Sequence, residues 1–176
     1  MLDELKRIIA GQYEAALATL AICIERCPDA LWNVNVGNHP FNQVVFHVLF
    51  FADYYLDQSE VQFKRQPFHE HHQAIFAGYE QLQPCKPAST YDRPFIESYA
   101  EHCRRKAVQT LAVESQQTLT TSSPLSRRGF SRAELHVYNI RHIQHHAAQL
   151  ILRLRQESDV DIPWIGSGWR DFAAAR

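Results

Sequence analysis

The segment Ser131–Arg155, SRAELHVYNIRHIQHHAAQLILRLR, constrains the fold of this chain most strongly, because it predicts a long amphipathic helix. Ser131 and Glu134 have the spacing of a capping box, in which each side chain satisfies a backbone donor at the start of a helix. The residues of one face then recur at steps of three and four, which keeps their side chains on one side of the helix. They are Leu135, Tyr138, His142, Ile143, His146, Gln149, Leu150 and Arg153.

Two histidines of this face are one helical turn apart. The i, i+4 spacing of His142 and His146 brings two imidazoles side by side, close enough to share one metal ion. His145 is a rival of His146, but it is rotated off the line of this pair, so we interpret it as a flanking residue. His136 is expected to be exposed. Two histidines do not complete a site, so a third ligand must come from elsewhere in the chain.

The size and charge of the chain exclude several classes of protein. A length of 176 residues predicts a single domain over 1–176, and 45% hydrophobic with 21% charged residues is typical of a globular protein. The net charge of −1 gives no electrostatic reason to expect nucleic acid or an anionic membrane as partner. No apolar run reaches the roughly 20 residues that a membrane span needs, and the first residues lack the cleavage pattern of a signal peptide.

The four cysteines indicate the cellular compartment. Cys23, Cys27, Cys85 and Cys103 form no CxxC pair. Cys23 and Cys27 are one helical turn apart, and we interpret them as small core residues in a reducing cytoplasm rather than as zinc or redox residues. The prediction is therefore a cytoplasmic protein.

The chain as a whole predicts four long helices and no strand, over about residues 2–27, 38–58, 90–113 and 131–155. This pattern favours an all-α four-helix bundle with a long connection between helices 2 and 3 and a site between facing helices. The connection, residues 60–91, is the least regular part of the chain. A short helix over 68–82 and a role as a lid are expected there.

The second predicted helix is apolar on nearly every side, so we expect it to be buried on more than one face and to line a homodimer interface. His47 lies in its middle. Alone it would be interpreted as a core histidine with one hydrogen bond, but facing two further imidazoles it needs a cation or a proton between the rings. In the C-terminal tail, about 158–176, Trp164 and Trp169 are expected to pack on the bundle or on a partner subunit.

Four other histidines leave alternatives open. His69, His71 and His72 form an HEHH run that is interpreted as a solvated surface cluster, the alternative being a flap residue that reaches the metal or a substrate. His102 in the third helix is interpreted as a partly buried histidine, the alternative being a further ligand or proton carrier.

The histidine in HVLFFADYYL and the His-x-x-x-His-x-x-Gln pattern of HIQHHAAQL resemble the DinB-like superfamily, which includes YfiT-like and bacillithiol or mycothiol S-transferase-like proteins. The resemblance covers nearly the whole chain in helix order and length. It implies a metal triad of His47, His142 and His146 that holds a divalent ion. Imidazole ligands suit zinc, nickel, iron or copper, and zinc or nickel is the expected ion. Members commonly have small-x-Gly-Gln after the last histidine, where this chain has Ala147-Ala148-Gln149. The glycine is therefore missing, and the glutamine is kept.

Three imidazoles with an open fourth position are the ligand set of a catalytic zinc site rather than a structural one. Tyr138 and Tyr54 are the candidate catalytic residues, as donors to a bound substrate. Asn139 and Gln149 are candidates for holding the imidazoles in orientation. The chain has no glutamate at HExxH spacing, so a zincin-type protease is disfavoured.

Three hypotheses about function follow. The first, which the resemblance implies, is a metal-dependent thiol S-transferase or hydrolase that acts on a small molecule such as a low-molecular-weight thiol. The second is a non-catalytic metal-binding or stress-related helical dimer module. The third is a helical interaction domain whose histidines belong to the core. A solvent-open cavity beside the triad favours the first, a fourth protein ligand favours the second, and ring nitrogens bonded only to backbone or carboxylates favour the third.

Overall fold

A computed structural model describes residues 1–76 and 90–168 of the chain. The described part is mostly helical, which confirms the all-α prediction. Cys85, Trp169 and residues 77–82 of the helix expected over 68–82 lie outside the described residues. The elements, in chain order, are α1 (Leu2–Arg26), α2 (Asp29–Trp32), β1 (Asn35–Val36), β2 (His39–Pro40), α3 (Phe41–Leu56), α4 (Glu60–Lys64), α5 (Pro67–His71), α6 (Gln73–Phe76), α7 (Arg93–Val113), α8 (Gln116–Thr120) and α9 (Arg132–Ser158).

The four long helices, α1, α3, α7 and α9, correspond to the four predicted ones. The second begins later than expected, at Phe41, because β1 and β2 form a small antiparallel hairpin just before it. Gly37 adopts a φ of 65° in the two-residue turn of this hairpin, a conformation that glycine takes without steric cost. The prediction that the chain contains no strand is therefore wrong at this point.

The long helices pack in a pattern that brings the predicted histidines together. Helices α1 and α3 each contact both α7 and α9. Large side chains fill the space between these helices, and Tyr13, Phe46, Leu49 and Tyr99 are completely buried there. Contact between α3 and α9 is what places His47 opposite the histidine pair of the last helix.

The apolar character of α3 is explained within one chain. Thirteen of its 16 residues are buried without any second subunit. An apolar α3 therefore gives no separate reason to expect a dimer. Trp164 is 81% exposed, so the expectation that it packs on the helices of its own chain is wrong, and its packing on a partner subunit stays a prediction.

Helix α1 is long and apolar enough to cross a membrane. The expectation that no segment of the chain would meet this criterion is therefore wrong. Yet 61% of its most apolar window is buried inside the protein. Core helices of soluble proteins and N-terminal signal sequences meet the same criterion, so this is weak evidence for a span.

The buried guanidinium of Arg132 joins the start of α9 to the ends of α3 and α7. Arg132, only 2% exposed, donates to the carbonyl oxygens of Tyr55, Leu56 and Asp57 at 2.7–2.8 Å. These carbonyls end the helix and have no partner within it. The Arg132 Nε also donates to Glu114 Oε1 at 2.6 Å, so the buried charge is paired.

His136 belongs to the same buried network, so the expectation that it is exposed is wrong. Its exposed fraction is 0%. Its Nε2 lies 2.8 Å from Glu114 Oε2, and its Nδ1 lies 3.1 Å from the Tyr13 hydroxyl. A histidine can be buried here because other helices supply polar partners for both of its ring nitrogens.

We expect Arg132→Met to lower the free energy of unfolding by about 3 kcal/mol or more, because it leaves the Glu114 charge and three carbonyls buried without their donor. Urea denaturation followed by circular dichroism measures this loss. Arg141→Met is the matched control, since Arg141 is exposed on the same helix and its replacement should change stability by less than about 0.5 kcal/mol. Equal stability of the two variants would contradict the role of Arg132.

Candidate metal centre

Three imidazoles from two helices converge at one point of the α3–α9 contact. His47 comes from α3, and His142 and His146 come from successive turns of α9. One ring nitrogen of each residue lies within 4.8 Å of the other two, a spacing at which the group could hold a metal ion. The centroids of the three rings are 4.8–5.3 Å apart.

One pair is already at ligating distance. His47 Nε2 and His142 Nε2 are 3.3 Å apart. Two nitrogens on a tetrahedral zinc ion, each about 2.0–2.1 Å from the metal, are about 3.3–3.4 Å from each other. The set as a whole spreads over up to 4.8 Å, so gathering the three nitrogens round one ion needs only a small side-chain movement.

Gln149 orients the third imidazole. Its Oε1 lies 3.0 Å from His146 Nδ1, and its Nε2 lies 3.2 Å from His145 Nε2. Because an amide oxygen only accepts, the hydrogen of His146 is on Nδ1, and Nε2 keeps the lone pair that a metal needs. Gln149 thus acts as the sequence suggested, and His145 flanks the site.

Asn139 differs from the expectation. Its Nδ2 donates to the carbonyl oxygen of Ala52 at 2.9 Å, so it ties α9 to α3 rather than orienting an imidazole. This hydrogen bond helps to fix the register of α9 against α3. It affects the orientation of the imidazole rings only indirectly, through that register.

The triad is neutral near pH 7. Burial, together with neighbouring histidines, lowers the pKa of His47 to about 4 and that of His142 to about 3, and it lowers the pKa of His146 as well. Neutral imidazole is the form that ligates metals. The Nδ1 of His142 is buried without a hydrogen-bond partner among the described residues, so the ring is held by contact with Phe51 and His146.

The triad is open on one side. A cleft of about 470 Å³ is lined by His142, Tyr138, Arg141, Gln144 and His145. This cleft gives a small molecule access to the His142 side of the site.

A second cavity, of about 270 Å³, lies about one turn from His142 towards the N-terminus of α9. Both candidate tyrosines, Tyr54 and Tyr138, line it, and Tyr138 also lines the cleft beside His142. The Tyr54 hydroxyl donates to Glu60 Oε1 at 3.1 Å, and burial raises its pKa to about 12. Tyr54 therefore stays protonated near neutral pH and cannot serve as a base there.

The other histidines form no part of the triad. His69 is 4% exposed and donates from Nε2 to Asp53 Oδ2 at 2.9 Å, so its assignment to a solvated surface is wrong. His102 is partly buried, as expected, with its Nε2 2.9 Å from Gln66 Oε1. His71 is exposed and His72 is half-buried.

Asp53 explains this second cluster, and sequence reasoning missed it. Its carboxylate is completely buried and also accepts hydrogen bonds from Tyr99 and Lys106. The available signal was a single aspartate within the apolar run of α3. Within residues 1–76 and 90–168, no fourth histidine, cysteine or carboxylate joins the triad as a possible ligand.

In comparison with known proteins, no family model, no curated protein and no solved structure matches this chain.

Replacing Gln149 should weaken metal binding. We expect Gln149→Leu to lower the affinity for Zn²⁺ about tenfold, the lower end of the range for groups that orient ligands, because Gln149 is exposed. Competition titration with a chromogenic chelator measures the change. Gln144→Leu, on the same helix, should bind Zn²⁺ as wild type does. Unchanged affinity in Gln149→Leu would show that the amide does not position His146.

The buried neutral histidines make the metal-free protein acid-sensitive. Unfolded histidine binds a proton near pH 6.5, whereas His47 and His142 bind theirs only near pH 4 and pH 3. Between pH 6.5 and pH 4, the unfolded state therefore binds more protons than the folded state does. The free energy of unfolding consequently falls as the pH drops through this interval. In urea denaturation at successive pH values, the His47→Gln/His142→Gln variant should lose less stability over this interval than wild type. His145→Gln should follow wild type, and three identical profiles would contradict the assignment.

Proposed function

We propose that this chain is a metal-dependent enzyme that holds one divalent ion through His47, His142 and His146 and acts on a small molecule. The observation that carries the proposal is the convergence of three neutral imidazoles from α3 and α9 beside a solvent-open cleft. In family terms, we propose a DinB-like protein whose four long helices form a four-helix bundle. The pairwise contacts of these helices support this proposal.

The ligand set favours catalysis over a structural role. Structural zinc sites are closed by four protein ligands, whereas catalytic sites have three and keep one position open. Three possible ligands are found among the described residues. Of the four candidates for a further ligand, His69 and His102 are hydrogen-bonded to Asp53 and Gln66, and His71 and His72 do not join the group either. No backbone or carboxylate bond to a ring nitrogen of the triad is found in this part of the chain, which disfavours a purely core role.

Residues of the chain would prepare the site for chemistry. Gln149 holds His146 in the tautomer that ligates through Nε2, and burial keeps His47 and His142 deprotonated. Tyr138, at the edge of both the cleft and the second cavity, is positioned to donate a hydrogen bond to a substrate. A divalent ion at such a site supplies a Lewis acid that favours the deprotonated form of a water or a thiol.

The reaction we propose is thiol transfer or hydrolysis, as the resemblance implies. Imidazole nitrogens suit zinc, nickel, iron and copper, and of these we propose zinc or nickel. The substrate would be a small molecule, with a low-molecular-weight thiol as the first candidate. A cytoplasmic location and a homodimer complete the proposal, and the exposed Trp164 gives support for the dimer.

Metal content tests the proposal. We expect wild-type protein purified without an affinity tag to contain about one zinc or nickel ion per chain by elemental analysis, and His142→Ala to contain none. His145→Ala is the matched control, since His145 flanks the triad and should leave the metal content unchanged. The loaded wild type would then be assayed for thiol transfer and hydrolysis.

Folded wild-type protein that is metal-free and takes up no added Zn²⁺ or Ni²⁺ would overturn the proposal. Loss of metal in both His142→Ala and His145→Ala would place the ion elsewhere in the histidine cluster.

A further inference from the structure

The second cavity, of about 270 Å³, adjoins the histidine triad along the α3–α9 contact. Phe51 is part of its wall and also touches the rings of His47 and His142, with centroids 4.9 and 5.7 Å apart. Tyr138 and Leu135 line the cavity from α9, and they precede His142 by four and seven residues. At a rise of about 1.5 Å per residue, the cavity therefore lies about 6–10 Å from His142 along the helix axis. One small molecule can therefore span the cavity and the triad.

The cavity has a cationic rim. Arg127 and Arg128 line it from the loop before α9, and both are exposed. Neither arginine forms an ion pair with a described residue, and none of the described residues that line the cavity is acidic. Glu60 lies close by, as the acceptor of the Tyr54 hydroxyl, but it does not line the cavity. No ion pair with a described residue therefore competes with an anion from solution for these guanidinium groups.

The wall behind the rim is aromatic and carries hydroxyl groups. Tyr54, Tyr55 and Tyr138 line it, and the rings of Tyr55 and Tyr138 meet edge to face at 5.6 Å. Arg128 lies over the Tyr138 ring, 5.9 Å from its centroid. Burial raises the pKa of Tyr54 and Tyr55 to about 12, so neither phenol becomes an anion that would repel a ligand.

The volume limits the ligand to a small molecule. At ~30 Å³ each, about nine water molecules would fill 270 Å³. Guanidinium groups recognise carboxylate and phosphate by paired, charge-assisted hydrogen bonds. Aromatic walls suit the apolar part of a ligand, with the charged end at the rim.

We propose that this cavity, with Arg127 and Arg128 at its rim, binds the carboxylate or phosphate group of a small substrate whose reactive end reaches the triad. The inference rests on the proposed metal-dependent function and extends it to a substrate class. The substrate is a small organic anion, and the distance between its charge and its reactive group matches one to two turns of α9. The arginines bind and position the substrate, and the chemistry takes place at the triad.

Three ligands of equal chain length test this assignment by calorimetric titration of the full chain. They are 6-mercaptohexanoate, the uncharged 6-mercaptohexanol and hexanoate, which lacks the thiol. We expect the zinc-loaded wild type to bind 6-mercaptohexanoate at least about tenfold more tightly than 6-mercaptohexanol, because only the acid can pair with guanidinium. Arg127→Gln/Arg128→Gln should remove this preference, and Arg105→Gln, an exposed arginine of α7 that lines neither the cavity nor the cleft beside His142, should keep it.

Inorganic phosphate as a competitor separates the two sources of negative charge. Displacement of hexanoate by phosphate at lower concentration than by propionate assigns the rim to a phosphate-bearing substrate, and the reverse order assigns it to a carboxylate. Equal affinity for the acid and the alcohol, or an unchanged preference in the double arginine variant, would overturn the inference.

The same titrations separate this inference from the proposed function. Hexanoate binding that depends on Arg127 and Arg128 in a protein that takes up no metal would support the anion cavity and reject the metal enzyme. A zinc-loaded protein that does not discriminate between acid and alcohol would keep the metal centre and reject the cavity.

Discussion

The geometry of the candidate site depends on the hydrogen bonds that the buried Arg132 guanidinium makes to the end of α3. This guanidinium binds the last carbonyls of α3 from the first turn of α9, and Asn139 binds the Ala52 carbonyl further along. From Arg132 to His142 is about 15 Å along α9, and from Leu56 back to His47 is about 13.5 Å along α3. These nearly equal distances on antiparallel helices bring His47 opposite His142.

Helix α3 carries two polar clusters that serve different ends. His47 and Asp53 are six residues apart, which separates them by about 120° round the helix axis. Asp53 meets His69, Tyr99 and Lys106, and each of these groups has its partner within the chain. Within the described part of the chain, the imidazole nitrogens of His47 and His142 have only each other as hydrogen-bond partners. The Asp53 cluster, whose hydrogen bonds are all satisfied, holds the short helices α4 to α6 against the core. The histidine cluster, whose hydrogen bonds are incomplete, leaves room for a ligand.

Local sequence signals predicted the parts of this structure that depend on local contacts. The capping box of Ser131 and Glu134 is present at the start of α9, and the three- and four-residue periodicity gave helices close to their observed bounds. The i, i+4 pair of His142 and His146 indicated a shared site that needed a third ligand, and the family resemblance supplied His47, which does lie beside the pair. Periodicity reports which side of a helix a residue occupies, and this was sufficient for the pair on α9 but not for the choice of His47.

The errors about the histidines concern residues whose partners are distant in sequence. His136 and His69 were expected at the surface, but Glu114 and Asp53 make their burial possible, and no pattern within one helix reveals a carboxylate on another. Nor could helical periodicity anticipate Arg127 and Arg128 at the rim of a cavity, because they lie in an irregular loop.

The division of the triad between α3 and α9 has a consequence for the stability of the whole chain. His47 and His142 are 95 residues apart in sequence, so an ion bound to both acts as a cross-link that exists only in the folded state. Mass action then adds about 2.7 kcal/mol of stability at a free ion concentration 100 times the dissociation constant. The lifetime of the folded protein in the cell would thus follow the supply of the metal.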